Sequence, residues 1–405
     1  MLVVRIAEAL AGGLLVLATW WSVLVTLVVP RGKTTMITRA LFRGMRTPFV
    51  LFASLSRDYG RIDAVLAARA PVTLLGLLLG WLLLFLVGFS LLFSAAGADV
   101  AVALRDAGSS LFTLGFATPT TDQLGITIAA AASGLIVVAL QIGYLPALYS
   151  SYNRRETLVT VLASRAGVPS WGPEVLVRHQ LVGIIDSLAG LYAQWENFAA
   201  DVAESHTNYP VLVYFRSPRP LRSWVIGLLS VMDSAALYLA LAPGRAPSEA
   251  RLCLRMGYRC LREIAGTLRI PVDDDPKPDD PLQLSREEFA DAVAYIRSSG
   301  FPVERSAAEA WPDFQGWRVN YERVAIALAE LTDAPPALWS GGRRLRTPQL
   351  PPSRPRDRRP TDKEGNPLPL PGATARPSGT RMRPGHLPTA PGMLPIDGRP
   401  VQTGP

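Results

Sequence analysis

The sequence of 405 residues contains only two cysteines, Cys253 and Cys260, which lie seven positions apart on a predicted helix. No other cysteine could complete a metal-binding quartet, so reduced cytosolic thiols are favoured over a disulfide or a zinc site. The sequence also lacks the glycine-rich dinucleotide motif with its acidic partner, the Walker A motif, HExxH and GxSxG. These absences leave no catalytic constellation, so the sequence predicts neither an enzyme nor a metal or cofactor site.

The histidines, the acidic cluster and the net charge do not indicate a functional site either. His179 and His206 lack partners at ligand spacing, which favours ordinary surface or capping roles. Asp273, Asp274 and Asp275 could bind a divalent cation, but a solvated loop is the favoured interpretation. The net charge is +8 in a chain that is 49% hydrophobic. In a membrane protein such an excess usually lies on cytoplasmic loops, so nucleic acid is not predicted as a partner.

Apolar residues concentrate near the N-terminus in three uncharged runs, each long enough to cross the hydrocarbon core, which takes about 20 residues. The runs are Ala9–Pro30, Ala70–Ala98 and Gln123–Asn153. Backbone groups in lipid must bond within their own segment, so each run is predicted to be a membrane helix. A cleaved signal peptide is the alternative for the first run, disfavoured by its length and by the lack of an A-x-A site.

Basic residues are distributed unevenly over the loops between these runs. The segment 96–123 has one base, Arg105, and three acids. Because cytoplasmic loops carry the excess of Lys and Arg, the N-terminus is predicted outside and everything after residue 154 inside. The chain is thus expected to be a multi-pass protein of the cell membrane, with a short apolar patch, 49–55, along the inner face of the lipid bilayer. The basic residues of the loop 31–69 are Arg31, Lys33, Arg39, Arg43, Arg46, Arg57, Arg61 and Arg69.

A fourth apolar run, 224–242, requires a choice between a further span and a buried helix. It carries Asp233, which is costly in lipid, and both of its flanks are basic. A span here would also place the rest of the chain outside. The buried helix of a soluble domain is therefore favoured, and a fourth span is the alternative.

The remaining sequence divides into a helical domain and a tail. Apolar residues recur at helical spacing through 154–334, which predicts a helical cytoplasmic domain whose ligand the sequence does not identify. Within it only Val211–Phe215, bracketed by prolines, is typical of a strand. From 335 to 405 Pro, Arg and Gly dominate without apolar periodicity, which predicts a disordered tail.

The segment between the second and third runs has the order of a pore loop. Val100–Phe112 can form about three turns of helix, too few to span the membrane. The glycine-containing segment Thr113–Pro119 follows, and the chain re-enters the membrane near Leu124. Non-helical backbone is tolerated at membrane depth only where protein or water covers it, and a ring of such turns can offer carbonyl oxygens to a dehydrated cation. An ordinary outside hairpin, Ser109–Pro119, is the alternative, and it would leave apolar side chains in water.

The residues that follow the short helix are Thr113, Leu114, Gly115, Phe116, Ala117 and Thr118. In this position they resemble the filter of the potassium-channel superfamily, in its bacterial form with two helices around a pore loop, whose motif is Thr-Val-Gly-Tyr-Gly-Asp. The resemblance covers residues 70–153. It implies that the Thr113 hydroxyl and the carbonyls through Phe116 line the ion sites. The chain departs from the motif at Ala117, where the family has glycine, and at Thr118, where it has an acid. Phe116 also lacks the hydroxyl with which the family braces its filter.

The predicted architecture is an all-α membrane protein with three transmembrane helices and a re-entrant pore loop. Its parts are an N-terminal helix with a basic loop (1–69), a pore module (70–153), the helical cytoplasmic domain (154–334) and the tail (335–405). One pore loop cannot enclose a pore, so a channel requires an oligomer. The resemblance implies a homotetramer that passes a monovalent cation such as K⁺.

On the third run, Gly134, Gly143 and Pro146 are candidates for a bend or gate, although glycine and proline are common in membrane helices. The expected function is passive cation transport, with the cytoplasmic domain biasing an open or a closed state. The alternative is a non-conducting, membrane-anchored scaffold or sensor with a pore-like segment.

Overall fold

The computed structural model describes residues 2–29, 36–56, 58–118, 120–343, 348–353 and 364, with backbone alone at 37–39 and 41–43. These residues form helices and no strand. Three short 3₁₀ helices, Thr121–Gln123, Ile185–Ser187 and Pro210–Tyr214, interrupt the α-helices. The α-helices are α1 Leu2–Leu27, α2 Met36–Ser54, α3 Tyr59–Ala67, α4 Arg69–Ala95, α5 Val100–Leu111, α6 Leu124–Ala166, α7 Gly172–Val182, α8 Leu188–Asn208, α9 Trp224–Leu241, α10 Ser248–Leu268, α11 Arg286–Ser298, α12 Ala307–Arg318 and α13 Glu322–Leu331.

Four helical stretches are long and apolar enough to cross a membrane: Leu2–Leu27, Tyr59–Ala95, Thr121–Ala166 and Trp224–Leu241. The first three overlap the three predicted runs, as expected of an all-helical membrane protein. α6 continues past the predicted end of its span at Asn153. At 1.5 Å per residue its 43 residues extend about 65 Å, roughly twice the thickness of the hydrocarbon core.

The described residues divide into two compact units. The first carries the three N-terminal apolar helices, and the second carries α9. The first unit draws on Met1–Val159, Ala200–Leu221 and Arg259–Val272, and the second on Thr160–Ala199, Arg222–Tyr258 and Asp273–Pro405.

In the first unit, α1 and α4 pack closely because small residues face each other where they meet. A Cβ added to Gly12 would lie 2.7 Å from the carbonyl oxygen of Gly88, so a larger side chain would separate the helices. Close approach of small residues is a common device of helix pairs in membranes, where apolar burial provides little drive for association. The indole N–H of Trp81 donates to the hydroxyl of Ser22 at 3.1 Å and adds a polar link between α4 and α1.

The predicted short helix is confirmed as α5, which packs along α4 and meets α6 at its C-terminal end. Its residues Ala103, Ala107 and Leu111 belong to a core that also contains aromatic side chains of α4. At its C-terminal end, the carbonyl oxygen of Leu111 occupies the space that a Cβ of Gly134 would need, so the two backbones touch. Gly134 lies ten residues after Leu124, about 15 Å along the axis of α6. This distance is about half the thickness of the hydrocarbon core.

In the second unit, all 18 residues of α9 are buried, and the helix packs against α7, α12 and α13. Asp233 forms an ion pair with Arg318 at 2.6 Å and accepts a hydrogen bond from Tyr321 at 2.9 Å. Burial lowers the pKa of Arg318, but the carboxylates of Asp233 and Glu322 outweigh it and raise that pKa above its usual range. An apolar helix enclosed by protein needs no lipid, so this packing favours the predicted core helix over a fourth span.

The strand predicted at Val211–Phe215 is wrong. Pro210–Tyr214 forms a 3₁₀ helix, and Val211, Leu212 and Phe215 are buried against α4 and α6. A short apolar run cannot distinguish a strand from another buried segment by its pattern alone. Here the apolar character reflects burial, with no sheet to join.

The disordered tail was predicted to begin too early. Ala337 and Trp339 are buried, and the carbonyl of Trp339 accepts a hydrogen bond from Arg318 at 2.6 Å. The Trp339 ring packs 5.8 Å from the Phe314 ring, centroid to centroid. A single tryptophan does not produce a periodic pattern of apolar residues, so the sequence pattern did not predict that Trp339 packs against the helical domain. Beyond Ser353 the tail lies outside the described residues, except for residue 364.

Gly134 and Gly143 on α6 form a matched pair, because a side chain at Gly134 would meet the α5 backbone whereas Gly143 has nothing within 4 Å. We expect Gly134→Ala to destabilise the protein by about 1–3 kcal/mol, since α5 must move to make room. Gly143→Ala should leave stability unchanged or raise it slightly, because alanine favours helix. Thermal unfolding of the purified protein, followed by circular dichroism in one detergent, measures both. Equal midpoints for the two variants would contradict the contact between α5 and α6.

Candidate functional site

α5 ends in a hydrogen-bonded cap that determines how the next residues leave the helix. The amide of Thr113 donates to the carbonyl of Ser110 at 3.0 Å, and the amide of Leu114 donates to the carbonyl of Ser109 at 2.8 Å. This pair of bonds is the Schellman motif, which places the residue after the helix in the left-handed region; Thr113 has a φ of 54°. A threonine there is strained by about 1–2 kcal/mol. Backbone strain of this kind clusters at functional sites.

Ser109 holds both ends of the turn that follows. Besides the bond from Leu114 to its carbonyl, its hydroxyl oxygen accepts a hydrogen bond from the amide of Ala117 at 3.0 Å. The adjacent Ser110 is also buried, but its hydroxyl donates to the carbonyl of Asp106 within α5 at 2.7 Å. Of these two neighbouring serines, Ser109 is therefore the one whose hydroxyl fixes the turn.

Along the first residues of the turn, the sign of the backbone angle φ alternates from one residue to the next. Gly115 has a φ of 72°, so the left-handed region is occupied at Thr113 and Gly115 but not at Leu114 between them. Alternation of this kind lets the chain reverse direction sharply within a few residues.

Ala117 differs from the glycine that the resemblance leads one to expect at this position. It does not adopt a positive φ, so its backbone is one that any residue can take. Alanine in place of glycine therefore introduces no backbone strain at this position. The bond from its amide to Ser109 anchors this end of the turn, where Phe116 lacks the hydroxyl that the family uses.

The side chains of the turn point away from the rest of the described chain. Leu114 and Phe116 are 61% and 62% exposed, and Thr113, Gly115 and Thr118 are exposed as well. Adjacent large apolar side chains on a loop are unfavourable in water. We expect lipid or a second copy of the chain to cover them.

The three predicted bending positions lie within one continuous helix, since α6 passes through Gly134, Gly143 and Pro146 without interruption. Gly134 serves the contact with α5. Pro146 has no N–H to donate to the carbonyl of Ile142, so the hydrogen-bond ladder of α6 is weakest there. A bend therefore stays a prediction, with Gly143 and Pro146 as the positions at which α6 has room to move.

Both histidines, for which surface or capping roles were expected, are buried, which corrects the surface part of that prediction: His179 is 1% exposed and His206 is 0% exposed. In the first unit, a guanidinium nitrogen of Arg155 lies 2.9 Å from Nε2 of His206. Arg155 was not among the residues predicted to form a site. The sequence offered only a weak signal, since adjacent residues of a helix point about 100° apart and one of the pair Arg154 and Arg155 can therefore turn inward.

The remaining titratable clusters provide no site. Within the described residues no group of three or more His, Cys, Asp or Glu side chains could hold a metal ion. The acids of 273–275 lie on an exposed loop, as predicted. Cys253 and Cys260 are free and buried, and burial raises the pKa of both thiols, which leaves them poorly reactive.

Comparisons of the chain with protein-family models, with curated proteins and with solved structures find no match. What the protein does is therefore inferred from its own residues and geometry.

Ser109→Ala removes the hydroxyl that accepts the amide of Ala117. We expect the protection of that amide from hydrogen exchange to fall about fivefold, the equivalent of roughly 1 kcal/mol for one lost hydrogen bond. Ser109→Thr keeps the hydroxyl and should keep the protection. Hydrogen exchange read by mass spectrometry over the 112–120 peptide provides the measurement.

Ser110→Ala is the matched control, because it removes a buried hydroxyl from the same helix without touching the turn. It should leave the Ala117 amide unchanged. A similar loss of protection in both variants would show that the serines act through the stability of α5 and not through the turn.

Proposed function

We propose that the protein is a potassium-channel-like integral membrane protein that mediates passive cation transport through a homotetrameric pore. The observation that carries the proposal is the position at which α5 ends along α6. The Leu111 carbonyl contacts Gly134, which lies about 15 Å along the axis of α6 from the first residue of that helix. An outside hairpin needs no such contact. The turn Thr113–Thr118 begins where α5 ends, so it starts within the length of the neighbouring apolar helix.

The chemistry of this position suits a cation. The C-terminal end of a helix carries partial negative charge on its last carbonyls, which favours a positive ion beyond it. Carbonyl oxygens of Thr113, Leu114, Gly115 and Phe116, repeated around an axis, could replace the water shell of a dehydrated ion such as K⁺. The turn would then act as the filter, with Ala117 and Thr118 toward its outer end.

Assembly follows from the fact that one chain supplies one turn. A ring of turns requires several copies, and the resemblance to the potassium-channel superfamily indicates four. The exposed side chains of Leu114 and Phe116 are available for contacts between copies. Burial of those side chains would also remove the unfavourable exposure noted above.

The charge distribution orients the proposed channel in the cell membrane. The basic loop 31–69 and the residues after 154 face the cytoplasm, and the N-terminus and the turn face outward. α6 carries the proposed gate near Gly143 and Pro146, and the helical region 154–334 biases it between open and closed. No nucleic acid, metal or cofactor has a role in this scheme, and the ligand of the cytoplasmic domain is open.

Gly115 and Gly125 provide a test in which only backbone conformation differs. Neither has any atom within 4 Å of an added Cβ, but Gly115 has a φ of 72° whereas Gly125 begins a helix. Gly115→Ala should strain the turn by about 1–2 kcal/mol and lower K⁺ flux into liposomes about tenfold. Gly125→Ala should leave the flux unchanged.

Flux of K⁺ and of Na⁺ is measured at matched protein density, with oligomeric state checked by crosslinking. If the parent and both variants give only background flux while remaining oligomeric, the protein is not a channel, and the scaffold or sensor alternative replaces this proposal.

A further inference from the structure

A buried arginine fastens the segment 210–216 to α6. Arg155 is 1% exposed, and its terminal nitrogens donate to the carbonyl of Leu212 at 2.8 Å and to the carbonyl of Phe215 at 2.7 Å. Its Nε and one terminal nitrogen contact the carboxylate of Glu156 at 2.9 Å and 2.8 Å. The remaining N–H points at Nε2 of His206 at 2.9 Å. All five donors of the guanidinium are thus engaged, one of them by the histidine.

This geometry fixes the protonation of His206. A guanidinium can only donate, so Nε2 of the ring must accept and carries no proton. The single proton of the neutral ring then lies on Nδ1, 3.0 Å from the hydroxyl oxygen of Ser205. That hydroxyl donates its own hydrogen to the carbonyl of Asp201 at 2.6 Å, which leaves its lone pairs free to accept. The neutral Nδ1–H tautomer satisfies every contact, whereas the doubly protonated ring does not.

The charged groups around this cluster are already paired with each other. The centroid of the Tyr152 ring lies 5.3 Å from the Arg155 guanidinium carbon. A protonated His206 would add an unpaired positive charge beside a buried cation, and desolvation makes such a charge expensive. The pairs that surround it are Arg155 with Glu156 on α6, Arg154 with Asp201 between α6 and α8, and Arg216 of the segment with Asp63 on α3.

The segment held by Arg155 packs against the apolar helices. Val211, Leu212 and Phe215 are buried in a cluster with Leu74 of α4 and Leu148 of α6. Loss of the guanidinium bonds would leave the buried carbonyl of Phe215 without its donor and that of Leu212 with only the amide of Phe215, so the segment would have to leave its place to find water. The position of this segment on α4 and α6 therefore depends on the contacts of Arg155.

We propose that Arg155 and His206 form an acid-sensitive latch, in which protonation of His206 releases the segment 210–216 from α6. Burial, and then the charge of Arg155, hold the pKa of His206 well below its usual range in the closed state. Once released, the ring regains water and a pKa near its ordinary value of about 6.5. Closure is therefore fully favoured above a pH of about 6.5, and it weakens by up to about tenfold per pH unit below that value. The latch does not require conduction; only an effect on ion flux would rest on the proposed function.

Hydrogen exchange of the full-length protein in nanodiscs tests the latch directly. The amide of Leu212 donates to Tyr209 at 2.9 Å and that of Phe215 donates to Leu212 at 3.1 Å, so both report whether the segment is in place. Protection factors, corrected for the intrinsic effect of pH on exchange, should fall in the wild type between pH about 7.5 and pH about 5. In His206→Gln they should stay constant, because the amide oxygen can accept from Arg155 and has no proton to gain.

His179→Gln is the matched control. His179 is also buried, with Nδ1 2.6 Å from the carbonyl of Val175, and burial lowers its pKa too, but it lies in the second unit. The pH response of the segment should survive this substitution. Constant protection in the wild type, or the same pH response in His206→Gln, would overturn the latch whatever the flux assay gives.

A spectroscopic measurement keeps the inference testable if His206→Gln fails to fold. The chain has three histidines, so nitrogen-15 spectra of His179→Gln labelled on histidine contain two rings. His206 should show a protonated Nδ1 and a bare Nε2 at neutral pH. The opposite tautomer, or a charged ring at neutral pH, would overturn the assignment.

Discussion

Backbone polar groups that are removed from water must find their partners within the protein, and the end of α5 is where this constraint bears hardest on the fold. A helix of 12 residues that stops against α6 leaves carbonyls and amides to be satisfied at its end. Gly134 lets the two backbones touch, the cap at Thr113 bonds two amides, and Ser109 bonds a third. The turn can therefore hold a strained shape without a wide loop of water around it.

The same constraint applies where the segment 210–216 packs against α4 and α6, and there a buried charge satisfies the carbonyls that a backbone cap satisfies at α5. The carbonyls of Leu212 and Phe215 are buried, and Arg155 supplies their donors. Its charge then needs Glu156 beside it and a neutral His206 facing it. A neutral cap cannot respond to acid, whereas this one can, because one of the groups that accept from Arg155 is a histidine, which can gain a proton.

Much of the helical framework could be predicted from the sequence, because long uncharged runs and the short segment at Val100–Phe112 leave few structures open in lipid. The turn at Thr113–Thr118 was located by order and glycine, but its bond to Ser109 was not predictable, since the partner lies eight residues back and its neighbour Ser110 has the same chemistry. The strand predicted at Val211–Phe215 and the surface role considered for His206 failed for a related reason. Burial in those places comes from tertiary contacts, such as those of Arg155, which leave no period in the sequence.

A channel of the proposed kind requires copies of the turn to surround a common axis within the membrane. Electron cryo-microscopy of the full-length protein in lipid nanodiscs would reveal this arrangement. We expect four copies, with Thr113–Thr118 of each facing the axis and the C-terminal end of every α5 inside the bilayer. A monomer, or an oligomer in which these residues face lipid or bulk water away from the axis, would contradict it.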